Sequence, residues 1–109
     1  THPIFKTRRF HEGIDIGASM GANVLAADDG EVIFSGVYGG YGNTVILSHG
    51  GGISTQYSHL SKILVGEGKK VLKGDKIGLV GSTGISTGPH LHFGVIKDGQ
   101  VVNPWNWLK

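Results

Sequence analysis

The chain has 109 residues, 20 of them Gly, with six His, no Cys and a formal net charge of +2. That length fits a single domain, and 32 Leu, Ile, Val and Phe residues are enough to build a packed core. The absence of Cys excludes disulfides, Cys-ligated zinc and a thiol nucleophile, so any metal must be held by imidazole and carboxylate.

Other classes fall on the same reading. No apolar run approaches the roughly 18 residues of a membrane span. The longest basic runs are the pairs Arg8-Arg9 and Lys69-Lys70, too sparse for a nucleic-acid surface. A chain that begins at Thr1 is expected to be a processed product or an excised domain, with any targeting segment outside it.

Apolar residues alternate with polar ones in short runs bounded by Gly, Asn, Asp or Ser. In chain order these predict strands over 31–37, 44–49, 54–59, 77–80 and 90–96. Asp98-Gly99 lies between two β-prone runs and predicts a hairpin that returns through Val101-Val102. The segment from Leu60 to Val65 is the one candidate for a helical turn, and at that length it would be marginal alone. A shift of 47 positions aligns Gly21, Val24, Leu25 and Asp28 with Gly68, Val71, Leu72 and Asp75. Two similar Gly-turn-strand units suit a pseudo-two-fold arrangement. The expected fold is all-β, mainly antiparallel sheets in a barrel-sandwich with a duplicated motif, and the expected organisation is one domain over 1–109.

The chemistry-bearing residues fall into three groups. His90-Leu91-His92 places two imidazoles on one face of a strand, with Leu91, Phe93 and Val95 on the other. The uncharged segment from Gly81 to Pro89 precedes them and lacks the Lys-Ser/Thr of a phosphate-binding loop; its small residues would let another backbone, or a peptide substrate, approach closely. His11 and Asp15 stand four apart, about 13 Å in an extended strand, unless Gly13 bends the chain between them. Catalytic zinc takes three protein ligands and a water. His11, Asp15 and one His of the pair would supply such a set. The third group, Tyr57-Ser58-His59, ends a strand and on its own reads as structural. So does His49, while His2 reads as an exposed or packing residue.

His11-x-x-x-Asp15, Tyr57-x-His59-Leu60 and Gly88-Pro89-His90-Leu91-His92-Phe93 resemble the motifs of the lysostaphin-type zinc metallopeptidases, the M23 or LytM family, which hydrolyse peptide bonds in bacterial peptidoglycan. The likeness extends over nearly the whole chain through Gly13-Ile14-Asp15-Ile16, Asp29-Gly30-Glu31-Val32, Gly42-Asn43, Gly74-Asp75 and Asn103-Pro104. It implies one zinc ion held by His11, Asp15 and His92, with His59 and His90 as the non-ligand catalytic pair. Two departures from the family pattern follow: Asn23 stands where the family commonly has Pro, and the resemblance implies a strand ahead of His2-Pro3 that is expected to lie outside the chain.

The resemblance further implies a peptidoglycan peptide as substrate, action outside the cytoplasm and room for a regulatory protein partner. Glu12 is a rival general base, and Tyr38 and Tyr41 either wall the groove or pack at a strand edge. Trp105 and Trp107 fit core capping better than glycan binding. A non-catalytic relative acting in cell-wall remodelling is the alternative function. A lipoyl, biotinyl or phosphohistidine carrier is a further one; the first two need a Lys at an exposed hairpin tip where this chain has Asp98-Gly99.

Overall fold

The computed structural model describes residues 14–84 and 88–102, with backbone positions alone at 14, 15 and 101. Nine strands make up these segments: β1 (Ile14–Gly17), β2 (Asn23–Leu25), β3 (Gly30–Val37), β4 (Asn43–Gly50), β5 (Ile53–Ile63), β6 (Lys70–Val71), β7 (Lys76–Val80), β8 (His90–Lys97) and β9 (Gln100–Val102). A short 3-10 turn at Gly39–Tyr41 joins β3 to β4. Every strand pairing is antiparallel, and the ladder runs β1-β8-β5-β4-β3-β6 with β9 on β8 and the β2·β7 pair attached through β5. The all-β expectation holds, and among the described residues there is no α-helix.

The strands follow the sequence pattern closely. Each of the five alternating runs becomes a strand extended by a residue or more at its ends, as β3, β4, β5, β7 and β8. Asp98 and Gly99 adopt φ of 52° and 82°, the two left-handed residues of a type I′ turn, and pair β8 with β9 through Lys97 opposite Gln100. The helical turn expected at Leu60 to Val65 does not form. Leu60, Lys62 and Ile63 continue β5 and pair with Val80, Leu79 and Gly78 of β7. A ladder partner outweighs weak local helical propensity here, and the fully buried Leu60 ties this stretch to the core.

The internal repeat is structural. Val24 and Val71 are each 3% exposed, whereas the Leu residues that follow them, Leu25 and Leu72, are 51% and 65% exposed. Each unit lends its short strand to the other: β2 pairs with β7, and β6 pairs with β3. The hydrogen bonds repeat as well. Gly21 N–H donates to Val80 O and Val80 N–H to Ala22 O, while Gly68 N–H donates to Val32 O and Val32 N–H to Lys69 O. This exchange closes a core of Val24, Val32, Val45, Leu47, Tyr57, Leu60, Val71, Ile77, Val80, Phe93 and Val95.

β5 is the central element and changes partner along its length. Ile53 to Ser58 pair with β8, and Leu60 to Ile63 pair with β7. His59 sits at the changeover.

Candidate active site

His90 and His92 lie on β8, whose opposite face sends Phe93 and Val95 into the core and packs Leu91 partly against it. The alternation read from the sequence therefore places both imidazoles on one side, as expected. β1 runs alongside, with Asp15 directly opposite His92 and Gly17 opposite His90. On its other side β8 meets β5, where Ser58 stands opposite His92.

His59 reaches the same place by a different route. Between Val45 opposite Tyr57 and Asn43 opposite Leu60, β5 carries one residue more than β4, a bulge at Ser58-His59. His59 takes φ of 65°, a left-handed conformation that a non-glycine side chain rarely adopts. β5 is buried on both faces here, from Thr55 through Leu60. The bulge aims the His59 ring at His90, 4.7 Å between centroids, and edge-on to His92 at 6.2 Å.

The tautomers of His59 and His90 are defined by their hydrogen bonds. His59 Nδ1 lies 2.7 Å from Thr83 O, and His90 Nδ1 lies 2.9 Å from Gly88 O. A carbonyl oxygen only accepts, so both Nδ1 atoms carry the proton and each neutral ring holds its lone pair on Nε2. Tyr41 closes the cluster, with its ring 5.0 Å from His92 and 6.2 Å from His59. Tyr38 stacks on Tyr41 at 5.8 Å and 16°, and Phe34 follows at 5.3 Å from Tyr38. Both tyrosines thus extend an aromatic wall outward from the histidines, and Tyr38 is substantially exposed.

The structure gathers His59, His90 and His92 and sets Asp15 in register with His92. His11, Glu12 and Gly13 fall outside the described residues, as do His2, Trp105 and Trp107. Among the described residues, no three His, Asp or Glu side chains assemble as a metal-holding group. His49 is structural, as expected, bonded through Nδ1 to Asp29 O at 2.7 Å and through Nε2 to Thr55 Oγ1 at 2.8 Å. The small-residue segment upstream of His90 serves backbone approach at Gly84, where a Cβ would come within 2.5 Å of Gly40 O. At Gly88 no atom of the described residues lies within 4 Å of such a Cβ, and residues 85–87 are outside the described set. Thr83, which carries no signal by residue type or spacing, ties this segment to His59.

The described residues form an antiparallel all-β domain with a histidine cluster at the partner change of its central strand. The chain matches the Peptidase family M23 description over residues 9–104 and belongs to that family. It is 52% identical over 94% of its length to the DD-carboxypeptidase/endopeptidase Mpg of Neisseria meningitidis, of which it covers 24%. It is 42% identical over 89% of its length to the murein hydrolase activator EnvC of Escherichia coli, covering 23% of that protein.

Among solved structures, the catalytic domain of lysostaphin from Staphylococcus simulans superposes with a TM-score of 0.84 at 34% identity, over 97% of this chain and 84% of that one. A zinc-containing peptidase from Vibrio cholerae superposes at 0.83 with 40% identity, over 91% of this chain and 30% of that one. The chain spans about a quarter of the length of the curated relatives it matches.

Proposed function

We propose that the chain is the catalytic domain of a zinc-dependent endopeptidase that cuts peptide bonds in the stem or cross-bridge of bacterial peptidoglycan, with His11, Asp15 and His92 holding one zinc ion and His59 and His90 handling protons. The observation that carries this reading is the convergence of His59, His90 and His92, with Asp15 opposite His92. Directly opposite positions of an antiparallel pair share one face at close range, which suits two ligands of one ion. Two imidazoles and one carboxylate are also the donor types of a three-ligand catalytic zinc site.

Bound zinc supplies Lewis-acid polarisation of the scissile carbonyl and acidification of water. The chain's own residues do the rest. His59 and His90 present Nε2 lone pairs from rings whose Nδ1–H groups are held by Thr83 O and Gly88 O. One Nε2 takes the proton of the attacking water, and a protonated ring returns a proton to the departing amine nitrogen. The other ring, when protonated, supports the developing oxyanion. Tyr41 flanks both His92 and His59 with its aromatic ring.

Similarity to a DD-carboxypeptidase/endopeptidase, to a murein hydrolase activator and to the lysostaphin catalytic domain supports this substrate class and action outside the cytoplasm. Among the described residues no helix is long and apolar enough to cross a membrane. The likeness to a murein hydrolase activator favours one second reading, a non-catalytic regulator that acts through a protein partner. Purified sacculi of several cross-link chemistries, incubated with the protein with and without a chelator, separate the two. Released muropeptides that vanish on chelation support the peptidase; no release by zinc-loaded protein overturns it in favour of the regulator.

A further inference from the structure

We propose that Thr83 is a positioning residue that holds His59 in the tautomer with its lone pair on Nε2; the proposal rests on the assignment of His59 as a proton-handling group. Thr83 follows β7 and makes contact with the bulge of β5 at both its backbone and its side chain. Its carbonyl oxygen accepts the His59 Nδ1–H at 2.7 Å. Its hydroxyl donates to Leu60 O at 2.7 Å and accepts the Asn43 N–H at 3.1 Å. Asn43 Nδ2 donates to the same Leu60 O at 3.1 Å.

These bonds form a closed circuit around the peptide that joins His59 to Leu60. The ring of His59 is bound to the backbone of Thr83, and the side chain of Thr83 is bound to the next residue's carbonyl. Backbone packing tightens the same contact. A Cβ on Gly42 would lie 2.5 Å from the Thr83 carbonyl carbon, so the residue that leads into β4 presses directly on residue 83. The left-handed φ of His59 persists because this setting over-determines it.

The consequence is chemical. A neutral imidazole protonated on Nε2 cannot accept a proton at that atom. Whatever holds the residue 83 carbonyl against Nδ1 therefore decides whether His59 can work as a base through Nε2. The Thr83 hydroxyl does this through two bonds that a Val side chain of the same shape cannot make.

Thr83→Val and Thr83→Ser separate this role from simple packing, since Ser keeps the hydroxyl and loses the methyl. In the zinc-loaded protein, ring-nitrogen NMR of neutral His59 is expected to show the Nδ1–H form in wild type and Thr83→Ser and a mixture of tautomers in Thr83→Val. Turnover of sacculi should fall about 10- to 100-fold in Thr83→Val, the range seen when a group that orients a functional side chain is removed, with KM and zinc content unchanged. Thr83→Ser should restore it.

A Thr83→Val protein whose His59 stays wholly in the Nδ1–H form overturns the proposal. So does a wild-type His59 protonated on Nε2 when neutral, a result that needs no variant to fold. If wild type releases no muropeptides, the peptidase reading fails, while the nitrogen measurement still decides the role of Thr83.

Discussion

Asp15 on β1 and His92 on β8 are direct cross-strand partners, and His92 is buried at that position. Two strands distant in sequence thus bring a carboxylate position and an imidazole into register, next to the rings of His59 and Tyr41. The proposed ligand set and the proposed proton-handling set meet on β8, where His92 belongs to one and His90 to the other.

That division makes the two sets separable by substitution. Asp15→Ala or His92→Ala should abolish stoichiometric zinc in the purified protein, measured by atomic emission. His59→Ala should keep its zinc and lose about 10²- to 10⁴-fold in turnover of sacculi, the usual weight of a general acid or base. Full activity of His59→Ala would remove it from the catalytic set.

Tyr57 offers a stability test away from the histidine cluster. Its hydroxyl accepts the Ala27 N–H at 2.9 Å and is bonded to the Thr55 hydroxyl at 2.8 Å, which in turn meets His49 Nε2. Tyr57→Phe leaves a partly buried backbone donor without its acceptor, a cost of about 1–3 kcal/mol. Urea denaturation at neutral pH checks this. A midpoint unchanged from wild type would mean that water replaces the hydroxyl at no cost.

The same residue sets a pH dependence. Burial is the main cause that raises the Tyr57 pKa above its ordinary 10.0, with hydrogen bonds from Thr55 and Ala27 pulling the other way and Asp28 adding to the rise. Between the ordinary value and the raised one the unfolded chain binds fewer protons than the native one, so stability falls as pH rises. The contribution is intact below about pH 10 and is lost above it. Denaturation midpoints from pH 8 to 11 should drop more steeply in wild type than in Tyr57→Phe, a comparison that cancels the lysines.

Much of the fold was legible because alternation and turn chemistry are local. Val45, Leu47, Tyr57, Phe93 and Val95 advertise their inward faces by spacing alone, and Asp98-Gly99 advertises its turn. The two-residue β6 could not be read as a strand, because Lys70-Val71 gains its identity from Gly30 and Glu31 across the ladder. The helical reading of Leu60 to Val65 failed for the same reason, since β7 supplies the partner. At the site, His90 and His92 could be placed on one face, but His59 could not be joined to them by parity. Its direction comes from a bulge that only the pairing with β4 and the bonds to Thr83 create.

Glycine substitutions probe that non-local part directly. Gly42 has φ of 69°, and a Cβ there would lie 2.5 Å from the Thr83 carbonyl carbon; Gly84 has φ of 76° and would meet Gly40 O at 2.5 Å. Neither neighbour is a flexible side-chain end, so backbone must move. Gly42→Ala and Gly84→Ala should each destabilise by more than about 1 kcal/mol, combining left-handed strain with the clash. Gly66 is the internal control: it is exposed, lies outside the left-handed region and has no atom of the described residues within 4 Å of a built Cβ. Gly66→Ala should be neutral or stabilising by about 0.4–1 kcal/mol, through loss of unfolded-state freedom. Thermal melts of the three variants check the ordering. Gly42→Ala as stable as Gly66→Ala would show that residue 83 yields, and with it the anchoring of the His59 ring.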